Sequence, residues 1–375
     1  YLTHIWNLTS MMDHPIIAKE EDQDEACYRQ FYEEAISLCR QKRFHEALEK
    51  CRYTSLDDEE EYSIDVIQPE KIEFKQNSYE DGENSIISFP EFLLLVLDVC
   101  TGGEQPASHY QPDKLIEKFD ALKTYFTAGE FYEKMLYYRL LLDYYTIRRD
   151  IKDGQGNYSL ILKGPKDDSD KLKQYQSMLY VSTEAFYNWL KPYLRKLEQD
   201  ELHSCAEMLA FLKKEDNERH SILPARKDLS YKASGNIRYW FWRLDYYLWE
   251  QRSTFFNEEE QKIVEHYVFR RNRSIEHLHP QDESHNEEWE EEAVHSFGNL
   301  AMISQSFNSQ QSNDHIQIKF ARIHEQISNK SLQSIKMFLM CKLADFNYLN
   351  WTMKLTKEHE NEMIEFLERS FYISD

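Results

Sequence analysis

Glycine, proline and long apolar stretches are scarce in this sequence. Its 375 residues include only nine Gly and nine Pro, so few positions interrupt regular structure. The longest unbroken apolar run, Phe92–Leu97, is far shorter than the roughly 20 residues that a membrane-spanning helix needs. These shortages favour a helix-rich globular protein and argue against a membrane protein.

Cysteine is also sparse, and no two cysteines form a Cys-x-x-Cys pair. Scattered, reduced and mostly buried thiols are the simplest interpretation. No signal peptide is visible, and we expect a cytoplasmic protein. The first residue is Tyr rather than Met, and we expect that the natural N-terminus lies further upstream. The six cysteines are Cys27, Cys39, Cys51, Cys100, Cys205 and Cys341.

Positive charge is in deficit, because the formal net charge is -22. Such acidity is atypical of general nucleic-acid-binding proteins, since phosphate contacts need local positive charge. The basic residues are nevertheless concentrated, with six Lys or Arg against two acids in Glu218–Arg243. The acidic residues crowd into Asp282–Glu292, which holds seven carboxylates. Local charge, not the total, therefore decides whether DNA can bind.

Helical periodicity dominates the first half of the chain. Ser88 is a favourable N-cap for a helix that ends near Cys100. The segment Ala128–Arg149 is dense in Tyr, Leu and Phe, which predicts a central core helix. We also predict a helix over Ser169–Gln199 that Pro192 kinks or divides.

The sequence predicts three parts: an N-terminal helical segment at 1–86, a helical middle domain at 87–216 and a C-terminal domain at 217–375. The polar and basic stretch Asn217–Gly235 is the predicted linker. The segment Asn236–Arg252 that follows is rich in aromatic residues at helical spacing. We expect these aromatic side chains to be core rather than a platform for nucleobases.

The residues that could carry chemistry are concentrated in 267–313. A β-branched and aromatic run, Tyr267–Phe269, predicts a strand that leads to the acid–histidine pair Glu276-His277. A second apolar run around Gly298–Leu300 predicts a second strand, and a polar segment follows it. Strand, acid–histidine pair, strand and helix is the order in which an HNH (ββα-metal) nuclease presents its residues.

Phosphodiester hydrolysis needs an activated water and stabilisation of the charge on the phosphoryl oxygens. Glu276 would supply a hard oxygen ligand for Mg²⁺ or Mn²⁺, and Asn308 a second one. His277 is next along the strand and points to the opposite side, where it can act as general base. Asn299 would hold the ring or the backbone of that histidine in place.

Three elements together resemble the C-terminal HNH domain of GmrSD-type restriction enzymes: Glu276–Gln281, Phe297–Leu300, and Asn308 with Asn313 and Lys319. The acid of the family pattern is often Asp, whereas this chain has Glu. The resemblance implies a DNA endonuclease of an antiphage restriction protein, with modified phage DNA as its substrate. It also implies an upstream ParB-like nucleotide-binding domain, whose motifs are absent from this sequence.

The roles of several polar residues in this region stay open. The three arginines Arg270, Arg271 and Arg273 could contact phosphate or form ion pairs with the acidic loop 282–292. Asn313 and Lys319 could cap the helix or touch a backbone phosphate. We expect the loop to swing outward or to mask the site until DNA arrives. Four further histidines are expected at the surface: His279, His285, His295 and His315.

Two rival functions remain. A catalytically inactive helical interaction or regulatory protein with an HNH-like patch would suit the strong acidity. RNA cleavage would use the same site chemistry as DNA cleavage. The predicted fold class is mainly α, a helical scaffold with a small ββα-metal (HNH) nuclease motif in the C-terminal domain.

Overall fold

The computed structural model confirms the mainly α fold class. Helices dominate the described residues, and strands form only one three-stranded and one two-stranded antiparallel sheet there. None of the helices in the described part of the chain is long and apolar enough to cross a membrane. The structure describes residues 24–51, 82–151, 158–165, 169–182, 184–235, 237–270, 274–281, 289–303 and 316–372.

The described residues pack into two compact units. The first unit comprises 1–169 and 186–205, and the second comprises 170–185 and 206–375. The predicted three-part division of the chain stays a prediction, because compact packing alone does not define domains.

The first unit is built around two apolar helices, α3 (Phe89–Cys100) and α5 (Ala128–Tyr145). Ser88 caps α3 through a reciprocal capping box, in which its own N–H donates to the Glu91 carboxylate at 2.7 Å. Both helices are largely buried, as their sequences predict. The elements of this unit are α1 (Asp24–Arg40), α2 (Phe44–Lys50), β1 (Gly82–Ser85), α3 (Phe89–Cys100), α4 (Leu115–Leu122), α5 (Ala128–Tyr145), β2 (Arg148–Ile151), β3 (Tyr158–Ile161) and, after α6 of the second unit, α7 (Phe186–Glu198).

The predicted helix Ser169–Gln199 is two helices, α6 (Ser169–Val181) and α7. The predicted helix is therefore divided, but between Val181 and Phe186 and not at Pro192, which lies inside α7. The flanking residues Trp189 and Tyr193 are buried in the core of the first unit. Burial of that face offsets the backbone hydrogen bond that proline removes, so packing overrides local propensity.

The second unit consists of short helices around a two-stranded sheet. Its aromatic helix α9 is almost entirely buried, which confirms that the side chains of Tyr239–Trp249 are core. The elements of this unit are α6, α8 (Cys205–Arg219), α9 (Arg238–Glu250), α10 (Arg252–Phe255), α11 (Glu258–Glu265), β4 (Ser274–His277), α12 (Glu291–Val294), β5 (Leu300–Ile303), α13 (Ile316–Ser328), α14 (Ile335–Leu343) and α15 (Met353–Arg369).

Strands β4 and β5 pair antiparallel, with Glu276 opposite Ala301 and His277 opposite Leu300. Strand β4 begins at Ser274, later than predicted, and Tyr267–Phe269 has no strand structure. Tyr267 is instead held by its hydroxyl, which donates to Asp245 at 3.2 Å. The aromatic run therefore serves core packing rather than sheet pairing.

The second strand also begins later than predicted. Phe297–Asn299 forms a 3₁₀ turn, and β5 starts at Leu300. The turn packs closely on α15, since a Cβ at Gly298 would lie 2.3 Å from the carbonyl oxygen of Thr356 and 2.9 Å from the Cβ of Glu360. Only glycine allows this approach of the turn to the helix.

We expect Gly298→Ala to destabilise the second unit by about 1–3 kcal/mol, because the new methyl group collides with the backbone of α15. Urea unfolding measures the change. Gly235→Ala is the matched control, since a Cβ there meets nothing within 4 Å. Equal stability of the two variants would contradict the close approach.

Candidate active site

Glu276 and His277 lie on opposite faces of β4, as strand alternation predicts. The Glu276 carboxylate forms a buried ion pair with the ammonium of Lys319 from α13. Lys319 also donates to the carbonyl oxygen of His277 at 2.7 Å. Lys319 is only 4% exposed, so in this structure it is neither a helix cap nor an exposed cation. It anchors the end of β4 instead.

The His277 imidazole is buried on the other face of the strand. Its Nε2 lies 3.1 Å from Nδ1 of His295, and its Nδ1 lies 3.0 Å from Nε2 of Gln281. The ring of Tyr231 meets the imidazole edge-on, with 4.5 Å between ring centroids. These three neighbours hold the ring plane in one orientation.

The environment of His277 strongly favours the neutral imidazole. Burial, then the nearby His295 and Lys319, lower the pKa of His277 to about 3. Burial, then Lys232, also lower the pKa of His295. Both rings are therefore neutral at neutral pH, and each has one nitrogen able to accept a proton.

Asn299 connects the 3₁₀ turn with three other segments. Its Oδ1 accepts from His279 N at 2.8 Å and from Trp351 Nε1 at 3.2 Å. Its Nδ2 donates to the carbonyl oxygens of His279 and Val294, both at 2.9 Å. Two roles were predicted for Asn299, holding the ring or the backbone of His277. Its hydrogen bonds hold the backbone just after His277 and not the imidazole ring. The amide is fully buried and all four of these bonds are made inside the protein.

Two histidines expected at the surface are buried. His279 is 3% exposed, because its ring stacks on Trp289 with 3.8 Å between centroids and its backbone is held by Asn299. His295 is 8% exposed, because it packs between His277 and the ring of Tyr231. His285 and His315 lie outside the described residues.

The remaining predicted contacts are only partly described. Arg270 is exposed and lies beyond the end of α11, which leaves it accessible to a phosphate. Four predicted residues lie outside the described residues, as does the first part of the acidic loop, 282–288. At the end of that loop, Glu291 forms an ion pair with Lys232. The four residues are Arg271, Arg273, Asn308 and Asn313.

The second buried ammonium group of the site belongs to Lys336 in α14. Its Nζ donates to the carbonyl oxygens of Phe297 at 2.8 Å and Leu300 at 2.6 Å. Burial lowers the pKa of Lys336 to about 7. Asp245 accepts from Lys336 N at 2.8 Å, and burial raises the pKa of Asp245 to about 6. Lys336 and Asp245 thus support the 3₁₀ turn from the side of α14.

His359 in α15 is buried near Lys336. Neither of its ring nitrogens has a hydrogen-bond partner among the described residues. Burial, then the charge of Lys336, hold the pKa of His359 well below its ordinary value of 6.5. The folded protein therefore cannot readily accommodate a proton on this ring.

The described residues contain no cluster of three or more His, Cys, Asp or Glu side chains that could hold a metal ion. Glu276 does fit such a role chemically, because a carboxylate oxygen is the ligand type that Mg²⁺ and Mn²⁺ prefer. The ammonium of Lys319 already places one cation on this carboxylate. The second predicted ligand, Asn308, lies outside the described residues.

Sequence reasoning missed Tyr231, His295 and Lys336 as parts of the site. Tyr231 lies in the stretch predicted to be a linker, yet its N–H donates to the His295 carbonyl oxygen at 3.0 Å. His295 stands three residues before Gly298, and that proximity to the turn was the available signal. Nothing in the sequence marks Lys336, because a single lysine on an apolar helix resembles a solvated position.

Comparison with protein families gives one match. Residues 216–366 match the model of the GmrSD restriction endonucleases, C-terminal domain. The predicted resemblance of this region to a GmrSD-type C-terminal domain is therefore confirmed, and the match suggests a restriction endonuclease-type nuclease module. The match covers less than half of the chain. No curated protein and no solved structure matches.

We expect Asn299→Ala to lower the free energy of unfolding of the second unit by about 3 kcal/mol, since it leaves several buried polar groups without their partner. Chemical denaturation measures the loss. Asn329→Ala, at an exposed position after α13, is the matched control. A loss no larger than the control's would show that Asn299 does not connect these segments.

We expect the second unit to lose stability as the pH falls below about 6.5, because the unfolded chain then binds a proton at His359 that the folded chain excludes. His359→Phe removes this contribution, so its stability should fall less between pH 7 and pH 5. Urea midpoints at both pH values measure the difference. His324→Phe, at an exposed position in α13, should leave the acid dependence unchanged.

Proposed function

We propose that the GmrSD-type C-terminal domain is a metal-dependent DNA endonuclease of the HNH type. The observation that carries this proposal is the arrangement at the end of β4. A buried carboxylate, Glu276, and a buried neutral imidazole, His277, are consecutive residues on opposite faces of the strand, and Asn299 holds the backbone that follows them. The end of β4 thus supplies a carboxylate oxygen and a proton acceptor on one rigid strand.

In the proposed reaction, His277 accepts the proton of the attacking water. Its low pKa keeps the imidazole neutral and therefore competent as an acceptor, but a base this weak takes a proton slowly. Entry of the phosphodiester anion beside the ring would raise that pKa, because a nearby negative charge favours the imidazolium. The base would thus become stronger when substrate is bound.

The proposed metal ion is Mg²⁺ or Mn²⁺, with Glu276 and Asn308 as its protein ligands. When bound, it would neutralise charge on the phosphoryl and leaving oxygens. Lys319 competes with a divalent cation for the Glu276 carboxylate, so we expect metal affinity to depend on this lysine. The same lysine holds the strand end through His277 O.

The proposed substrate is DNA, in particular modified phage DNA encountered in the cytoplasm, and the proposed partner is an upstream ParB-like nucleotide-binding domain. Phosphate contacts are assigned to Arg270, Arg271 and Arg273, with Asn313 as a further contact. Lys319 is less suited to that role than predicted, because it is buried against Glu276.

The rival function is a catalytically inactive interaction protein. The ion pair between Glu276 and Lys319 favours it, because it engages the one carboxylate that the proposed metal site requires among the described residues. Metal titration of the protein separates the two functions. Saturable Mn²⁺ binding that Glu276→Gln abolishes supports the nuclease, and absence of such binding supports the rival.

We expect Glu276→Gln and His277→Ala each to reduce Mg²⁺- or Mn²⁺-dependent nicking of plasmid DNA by about 10²-fold or more, since one removes a metal ligand and the other the general base. Gel assays on DNA and RNA, with modified and unmodified phage DNA, measure the rate and the substrate preference.

The matched controls are Glu259→Gln and His266→Ala, both at exposed positions in or next to α11. They should cleave at the rate of the unsubstituted chain. Undiminished cleavage by both site variants would falsify the assignment of Glu276 and His277.

A further inference from the structure

The two ring nitrogens of His277 have partners that impose one direction of hydrogen bonding. Gln281 Nε2 lies 3.0 Å from Nδ1, and His295 Nδ1 lies 3.1 Å from Nε2. An amide nitrogen only donates, and a neutral imidazole has one donor and one acceptor nitrogen. Gln281 therefore donates to Nδ1, and the proton of His277 sits on Nε2 and is donated to His295.

The two partners differ in how firmly they are held. His295 is buried, its N–H donates to the Glu291 carbonyl oxygen at 3.1 Å, and its carbonyl oxygen accepts from Tyr231 N at 3.0 Å. The Tyr231 ring stacks on the His295 ring, with 5.7 Å between centroids and 14° between planes. Gln281, by contrast, is exposed. His295 is the fixed partner, and Gln281 is the one that an incoming molecule can displace.

We infer that His295 is a positioning residue that keeps the proton of His277 on Nε2, so that Nδ1 receives the proton of the attacking water. This inference rests on the proposed nuclease function and adds to it the nitrogen that acts and the residue that selects it. The Gln281 N–H then stands where the O–H of that water would donate. An acceptor on one imidazole nitrogen selects the other nitrogen as the base.

The proton and electron balance of the step follows from this arrangement. The water oxygen forms the new bond to phosphorus while its proton passes to Nδ1 of His277. The bond from phosphorus to the leaving oxygen breaks, its electron pair stays on that oxygen, and the oxygen takes a proton from solvent. His277 is now an imidazolium that still donates Nε2–H to His295, and loss of the Nδ1 proton to water restores the neutral ring.

His295 suits this task because it is neutral. Burial, then the neighbouring Lys232, lower its pKa, so the ring is neutral and keeps one lone pair. Because Gln281 donates to the other nitrogen of His277, that lone pair lies on Nδ1 of His295. The carboxylate of Glu291 is paired with Lys232 at the rim of the site. Within the described part of the chain, the acceptor that stabilises the His277 imidazolium on this face of β4 is thus the neutral ring of His295.

The first test is spectroscopic and needs no activity. Nitrogen-15 NMR of the histidine-labelled 375-residue chain at mildly alkaline pH reports which imidazole nitrogen carries the proton, and His277→Gln identifies the signals. We expect His277 to carry its proton on Nε2. In His295→Ala we expect a mixture of both tautomers. A proton on Nδ1 in the unsubstituted chain would overturn the inference.

The second test is kinetic. His295→Ala should lower kcat for DNA nicking by about 10²-fold with little change in KM, since the base is misoriented while the DNA contacts remain. His295→Asn should recover most of that loss, because its amide oxygen can accept Nε2–H. Gln281→Ala should lower kcat by less than His295→Ala does, because Gln281 is exposed and gives up its place at Nδ1 to the attacking water. His324→Ala, at an exposed position, is the control.

The outcomes separate this inference from the proposed function. If the unsubstituted chain cleaves no DNA but His277 carries its proton on Nε2 and loses that preference in His295→Ala, the nuclease proposal fails and the positioning contact stands. If the chain cleaves DNA and His295→Ala keeps full kcat, or Gln281→Ala is as inactive as His277→Ala, the inference fails alone. Thermal melting shows whether each variant is folded. If His295→Ala is unfolded, His295→Asn is used in its place.

Discussion

The geometry of the site depends on the side-chain amide of Asn299. Its donors and acceptors join the turn after β4, the end of α12 and the ring of Trp351. Each of these polar groups is buried, so each would be costly without a partner. One amide thereby satisfies three segments, two of which lie 20 and 52 residues away along the chain, and the end of β4 that carries Glu276 and His277 is held as a consequence.

A two-stranded sheet is marginally stable by itself, and here two buried ammonium groups support it from different helices. Lys319 of α13 bonds the end of β4, and Lys336 of α14 bonds the turn and the start of β5. Burial of a charge is tolerated only where hydrogen bonds compensate it. The helical scaffold therefore does more than cover the sheet, because it supplies donors for the carbonyl oxygens that the short strands leave unsatisfied.

The candidate site could be predicted from sequence only where neighbours along the chain determine the result. The pair Glu276-His277 falls on opposite faces because strand alternation requires it, whereas the close approach of Gly298 to α15 is a tertiary contact that was not predicted. The burial of His279 and His295 was missed. Their surroundings come from Trp289 and Tyr231, and a histidine alone does not reveal which aromatic ring will cover it. Both strands also begin later in the chain than predicted, since aromatic residues suit a protein core as well as a sheet.

Residue patterns alone predict the mainly α class, the buried aromatic helix α9 and the order of the acid–histidine, Gly-Asn-Leu and Asn elements. These follow from local propensity, periodicity and residue order, which are properties of neighbouring residues. The folded chain was needed to show that Lys319 pairs with Glu276 and that His295 and Gln281 flank His277. The Glu276 and His277 contacts to Lys319 and His295 join residues far apart in the chain, and their distances depend on how the helices pack rather than on spacing.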